Sequence, residues 1–185
     1  DLCISSGFAG ALRQDLRIAD LVAARVVCRA GWELAVASDR QLFAAACDLG
    51  ARPVDRFITT TQVVTSVEEK SILSGEADAI EMESYVILAE AARRGVRAVS
   101  VRAVSDSATT ALPFDFGRML NERGGIHMSS LLLELAKKPQ QLGALLRLAR
   151  DCRAAGRQLG EFLDSYMEII DAEFAHTESA MAAAV

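Results

Sequence analysis

The stretch Ala79–Ser107, AIEMESYVILAEAARRGVRAVSVRAVSDS, decides the fold of this chain. It opens on an acidic knot, Glu81-Met82-Glu83, with Ala77–Met82 reading as a short strand. Glu83–Arg94 has helical spacing and ends in Arg93, Arg94 and Gly95, a basic last turn and a C′ glycine. Arg97–Val104 reads as a second strand, followed by Ser105-Asp106. Strand, helix and strand over roughly thirty residues make a βαβ unit, expected to hold its two strands parallel with a right-handed crossover. In open α/β sheets ligands bind beyond the carboxyl ends of the strands. That rule gathers Met82-Glu83, Ser105-Asp106 and a glycine turn, Gly7-Phe8-Ala9-Gly10, at one edge, where Glu83 and Asp106 could share a pocket.

The flanking sequence fits one α/β domain. Leu2–Ser6 is an apolar strand before the glycine turn, and Arg17–Val27 and Arg56–Thr65 read as further strands. Asp39–Leu49 has helical spacing with Gly50 at its end, and Ser66 with Glu69 forms a capping box for a short helix to Leu73. Residues 111–125 read as a loop, and from Met128 the chain reads as helical, broken near Pro139. Leucines and arginines interleave between Pro139 and Ile170, the pattern of an amphipathic helix or helical pair packed on the domain or on a neighbouring subunit. The chain opens on Asp1 in what reads as a strand already in progress, so the start of the fold is expected to lie outside this sequence.

Composition narrows the function classes. The 185 residues are 51% apolar and 24% charged, with a net charge of −5. No basic face for nucleic acid is expected, and no apolar run has the length of a membrane span. Cys3, Cys28, Cys47 and Cys152 form no CxxC pair and read as reduced core thiols of a cytoplasmic protein. His127 and His176 stand alone, with no cysteine near either, and do not make a zinc site.

The two carboxylates suit different work. Glu83 at a helix N-terminus is favoured as an ionised acceptor, able to bind two sugar hydroxyls. Asp106 beyond an apolar strand, if desolvated, could hold a proton to donate. On pattern alone, both are equally ordinary turn and first-turn residues.

Three segments in order, SSGFAGAL at 5–12, AIEMES at 79–84 and VRAVSDSA at 101–108, give the chain a resemblance to the nucleoside phosphorylase and nucleosidase superfamily, methylthioadenosine/S-adenosylhomocysteine nucleosidases included. Within it, VVTSVEEKSIL at 63–73 and the C-terminal helices look most like the hopanoid-associated phosphorylases. The resemblance implies a three-layer α/β/α fold with a central mixed, largely parallel sheet. It divides the chain into an α/β domain over 1–137, a helical extension over 138–171 and a disordered tail over 172–185. It implies cleavage of the N-glycosidic bond of a purine nucleoside, a 5′-substituted adenosine, by a homo-oligomer without metal or cofactor, with phosphate as a possible co-substrate.

Roles follow from the matching positions. Asp106 would be the general acid at the purine N7, held by Ser105. Glu83 would accept from the ribose hydroxyls, Met82 would pack beneath the sugar, and Glu81 counts with them on the ribose side, at the pocket rim unless it faces away from Glu83. Gln62, Val63 and Val64 would line the base, and Gly7, Phe8, Ala9 and Gly10 the ribose and nucleophile side. Where purine nucleoside phosphorylases carry an Arg and a Ser or Thr for phosphate, this chain has Ser5 and Phe8, which favours water. The alternative is a nucleoside-binding module that has lost catalysis, motivated by the absent N-terminal segment.

Overall fold

Two helix starts show how locally this fold is written. The Asp39 carboxylate accepts from the backbone N–H of Gln41 and Leu42, both at 3.0 Å, and opens α1 (Arg40–Asp48). Gly50, at φ 110°, lets the chain turn back after it. Ser66 and Glu69 form the expected reciprocal capping box at the start of α2 (Val67–Leu73). The computed structural model describes residues 1–114, 133 and 135–182, with side chains as far as Ala172. Most of the loop read at 111–125, His127 and the helix start at Met128 lie outside the described residues, as does the side chain of His176.

Among the described residues six strands form one mixed sheet: β1 (Leu2–Ala11), β2 (Leu21–Arg29), β3 (Ala35–Ala37), β4 (Arg52–Thr59), β5 (Ala79–Glu81) and β6 (Arg97–Asp106). Their order is β3-β2-β4-β5-β1-β6, and β6 also pairs with β2, so the sheet closes on itself with β3 at its margin. The β1–β6, β2–β4 and β4–β5 pairings are parallel; the β1–β5, β2–β3 and β2–β6 pairings are antiparallel. The sheet is therefore mixed, as expected, and among the described residues its two longest pairings, β1–β6 and β2–β4, are parallel.

The expected parallel βαβ unit is corrected by this topology. With α3 (Ser84–Arg93) between them, β5 and β6 flank β1 and run in opposite directions. β5 is only three residues long and takes its direction from β4, to which it pairs at Phe57↔Ala79 through Thr59↔Glu81. The expected glycine turn at 7–10 is also corrected. β1 continues through it, because Ser6, Gly7, Phe8 and Ala9 stay in register with β6. The strand read at Arg17–Val27 begins instead at Leu21, after Asp20 accepts from the Arg17 N–H at 2.9 Å and closes a turn. The strand read at Arg56–Thr65 leaves the sheet after Thr59, where Thr60 Oγ1 donates to the Gln62 carbonyl at 2.8 Å.

Alternate residues of the strands face two cores. Val22, Ala24 and Val104 pack with Tyr85 and Leu88 of α3. Ala23, Val99 and Val101 pack with Leu42, Phe43 and Ala46 of α1 and with Phe162, Tyr166 and Ile170 of α4 (Leu142–Ala182). These layers are the α/β/α fold that the sequence implies. Phe162, Tyr166 and Ile170 recur at four-residue spacing, one stripe of a helix, and the Tyr166 hydroxyl donates to the Leu42 carbonyl at 2.6 Å. A short 3-10 turn at Pro139–Gln141 precedes α4, and the helix then continues unbroken to Ala182, through residues read from sequence as a disordered tail. No helix among the described residues is long and apolar enough to cross a membrane.

Candidate functional site

The C-terminal half of β1, the β5–α3 junction, the end of β6 and the segment after β4 surround a cavity of about 450 Å³, within the usual range for small-molecule sites. All of the sequence-expected site residues line it, together with Arg102, Ser6, Thr60, Ile80 and Leu112. They are Gly7, Phe8, Ala9, Gly10, Gln62, Val63, Val64, Glu81, Met82, Glu83, Ser105 and Asp106, while Ser5 is buried behind the wall.

Arg102 organises one end. It is 2% exposed, and its Nη2 lies 2.7 Å from Glu81 Oε2 and 2.7 Å from Ser84 Oγ, with Ser5 Oγ at 3.1 Å and Glu83 Oε2 at 3.5 Å. One such nitrogen carries two hydrogens, so the two short contacts dominate. Its Nε has no hydrogen-bond partner among the described residues. Gly7 is required beside it, since a Cβ there would overlap the guanidinium.

Glu81 is not at the rim. Its side chain is fully buried and accepts from Thr59 Oγ1, from Arg102, and from the backbone N–H of Glu83 at 2.9 Å and Ser84 at 2.7 Å. Both oxygens are committed, and Oε2 caps the start of α3 from a position that the sequence offered to the ligand. Glu83 itself is the N-cap residue of α3 rather than part of its first turn, makes no capping bond, and leaves its carboxylate 63% exposed. It is the acidic group open to a ligand at this end. Met82 between them is half-buried.

The other end is built around Asp106. Its Oδ2 lies 2.5 Å from Lys70 Nζ, and its Oδ1 accepts from Ser105 Oγ at 2.8 Å. The desolvated, proton-holding Asp106 read from the sequence is thus met by a buried ammonium. A Cβ at Gly10 would stand 2.9 Å from Asp106 Oδ2 and 3.1 Å from Ile80 Cγ2, so glycine keeps this approach open. Cys152 of α4 lies close enough that, after burial, the Asp106 charge is the next cause pushing its thiol up.

The ends are separated by a measurable stretch of β1. Gly7 registers with Arg102 and Gly10 with Asp106, three residues apart, or roughly 10 Å along a strand. The two carboxylates share the cavity for a reason different from the one expected. They do not sit at neighbouring parallel strand ends; β1 runs between them as a common floor.

Lys70 and Arg102 are the residues that sequence reading missed. Arg102 had a signal, standing among Val99, Val101, Ala103 and Val104 in a strand buried from Ala98 to Ser105. Lys70 had a fainter one, lying on the Val67–Lys70–Leu73 line of α2 at three-residue spacing.

Comparison with known proteins identifies the fold and the family. The family model for the phosphorylase superfamily matches residues 1–125. The futalosine hydrolase of Helicobacter pylori strain 26695 superposes with a TM-score of 0.65 at 19% identity, covering 90% of this chain and 67% of that one. The 5′-methylthioadenosine/S-adenosyl homocysteine nucleosidase of Helicobacter pylori gives 0.64 at 19% identity, covering 90% and 68%. A putative methylthioadenosine nucleosidase from Weissella paramesenteroides gives 0.54 at 31% identity, covering 58% of each chain. No curated protein matches. The structural likenesses carry the fold, the family model carries the assignment, and the chain belongs to the phosphorylase superfamily, whose members are enzymes that cleave glycosidic bonds.

Proposed function

We propose that this protein cleaves the N-glycosidic bond of a purine nucleoside, a 5′-substituted adenosine, with water as the nucleophile. The observation that carries this reading is the placing of two carboxylates with opposite surroundings at the ends of one cavity. Glu83 is open and ionisable beside Arg102, and Asp106 is nearly buried and held on both oxygens.

An open carboxylate accepts hydrogen bonds from the two ribose hydroxyls, and Met82 supplies an apolar surface beneath the ring. The base extends towards Gln62, Val63 and Val64, with its N7 at Asp106. As the C1′–N9 bond breaks, its electron pair passes to the purine. A proton carried by Asp106 in the complex moves to N7, making the base a neutral leaving group. Water adds to the cationic C1′ and releases its proton to solvent, from which the Asp106 carboxylate left by the transfer to N7 takes one back, so charge and atoms balance. The partly positive sugar gains from the Glu83 charge only as the bond opens, the condition for lowering the barrier.

Water is favoured over phosphate by the two positions expected to differ. Ser5 is buried behind Arg102, and Phe8 presents an aromatic ring that lies against Gly156 of α4. Phosphate stays the rival nucleophile, because the segment at 63–73 and the long terminal helix resemble the hopanoid-associated phosphorylases. The test is adenine release from 5′-methylthioadenosine, followed by chromatography with and without phosphate. Release in both buffers is expected. Release that needs phosphate reassigns the nucleophile, and binding without release supports a module that has lost catalysis.

A further inference from the structure

We propose that Lys70 is a positioning residue for this reaction, acting through Asp106. The proposal rests on the reading of Asp106 as the group that acts at the purine.

Lysine is almost never fully buried unless it is paired, and Lys70 is 1% exposed. An ammonium has three hydrogens, and three acceptors surround this one: Asp106 Oδ2 at 2.5 Å, the Ser107 carbonyl at 2.8 Å and the Thr110 carbonyl at 3.0 Å. Every donor is used within the protein. On the opposite oxygen, Ser105 Oγ donates to Asp106 Oδ1. An ionised carboxylate offers about four acceptor sites, so one donor on each oxygen fixes the group and leaves a lone pair free to carry the proton that passes to N7. That position opens on the side kept clear by Gly10.

The same ammonium joins three pieces of chain: α2, the end of β6 and the turn at 107–110. That turn is tied to the segment expected to line the base, because the Leu112 N–H donates to the Thr65 carbonyl at 2.9 Å. The capping box at Ser66 then sets α2, and with it Lys70, directly after Gln62–Thr65. Base-lining segment and acid are thereby held in one frame, which is how catalytic groups reach productive geometry. A structural need alone would not call for this charge, since replacing a buried ion pair with well-packed apolar groups is often neutral or stabilising.

The experiment measures adenine release from 5′-methylthioadenosine by K70M, K70R and D106N, per active site titrated with a tight-binding adenosine analogue. K70M should lower kcat about 100-fold or more while KM stays within about threefold, because the chemical step, not binding, depends on Asp106 geometry. K70R keeps the charge, but its planar fork cannot serve the same three acceptors, and kcat should fall roughly tenfold. Parental kcat in either folded variant, or a rise in KM with kcat unchanged, overturns the proposal. If K70M does not fold, K70R decides alone. D106N separates the two layers. Parental turnover there removes the assignment of Asp106, and Lys70 falls with it. An inactive D106N beside an active K70M removes Lys70 only.

Discussion

The cavity has a buried ion pair at each end, and the two are built to different rules. Arg102–Glu81 is closed. Glu81 spends one oxygen on Thr59 and the other on Arg102 and two backbone N–H groups of α3, and nothing of it is left for a ligand. Lys70–Asp106 is open on one side. The cation is saturated, while the carboxylate is 11% exposed and has one donor on each oxygen. A buried pair with every site filled holds elements together; a buried pair with spare acceptor capacity facing a cavity holds a reactive group. Glu83 stands between these cases, touching Arg102 only at 3.5 Å.

Breaking the closed pair should have the largest effect on stability. R102M leaves Glu81 without its counter-ion inside the protein, and removing one partner of a buried pair costs about 3–5 kcal/mol. Urea denaturation should show that loss, and R102M/E81Q should recover part of it because no charge remains stranded. The contrast with Lys70 is the point. K70M should lose less stability than R102M, since the freed Asp106 can take water from the cavity, yet lose far more turnover per folded molecule. If the two variants show the same ratio of lost stability to lost kcat, the distinction between a closed and an open pair fails.

An intermediate effect is expected at Glu83. E83Q keeps the shape and removes the charge, and hydrogen bonds to charged groups contribute about 1.5–3 kcal/mol. That corresponds to a fall in kcat/KM of roughly 10- to 100-fold, with unchanged thermal stability, because Glu83 makes no capping bond to α3. E81Q should do the reverse and lower stability first. Full activity in E83Q would show that the ribose is read elsewhere.

This contrast also marks how far the sequence could be read. Helix ends were legible because their signals are local: Gly50 after α1, the Ser66–Glu69 box before α2, and Gly95 after α3. Both carboxylates of the cavity were legible as well, in the EMES and VSDS segments. The direction of β5 was not, since a three-residue strand carries no information about which neighbour will orient it. Nor was the closure of β6 onto β2, which depends on pairing residues such as Leu21 and Ala103 far apart in the chain. The cations were missed because a lone Lys or Arg ordinarily reads as surface. Only the acceptors around it, gathered from three segments, show that Lys70 is buried. Glu81 was misplaced for the related reason that adjacent acidic residues look alike until the start of α3 uses one of them.

The smallest effect belongs to a pair with no burial to sustain it, which gives the comparison its baseline. Asp15 meets Arg13 at 2.8 Å and Arg52 at 2.8 Å on the protein surface. Hydrogen bonding from Arg13, and less strongly from Arg52, holds the Asp15 carboxyl at about 2, below its ordinary 3.8. Its folded value is the lower one, so the pairing stabilises above pH 3.8 and is lost as the pH falls through about 2. D15N should therefore lower Tm slightly at neutral pH, and the difference from the parent should close at acid pH. It should also close in high salt, because exposed charges are screened. The Arg102 variant should keep its deficit in the same salt, since ions do not reach a guanidinium enclosed by Ser5, Glu81 and Ser84. A D15N deficit that survives high salt would place part of Asp15's effect in packing, and exposure would then no longer separate the surface pairs from those of the cavity.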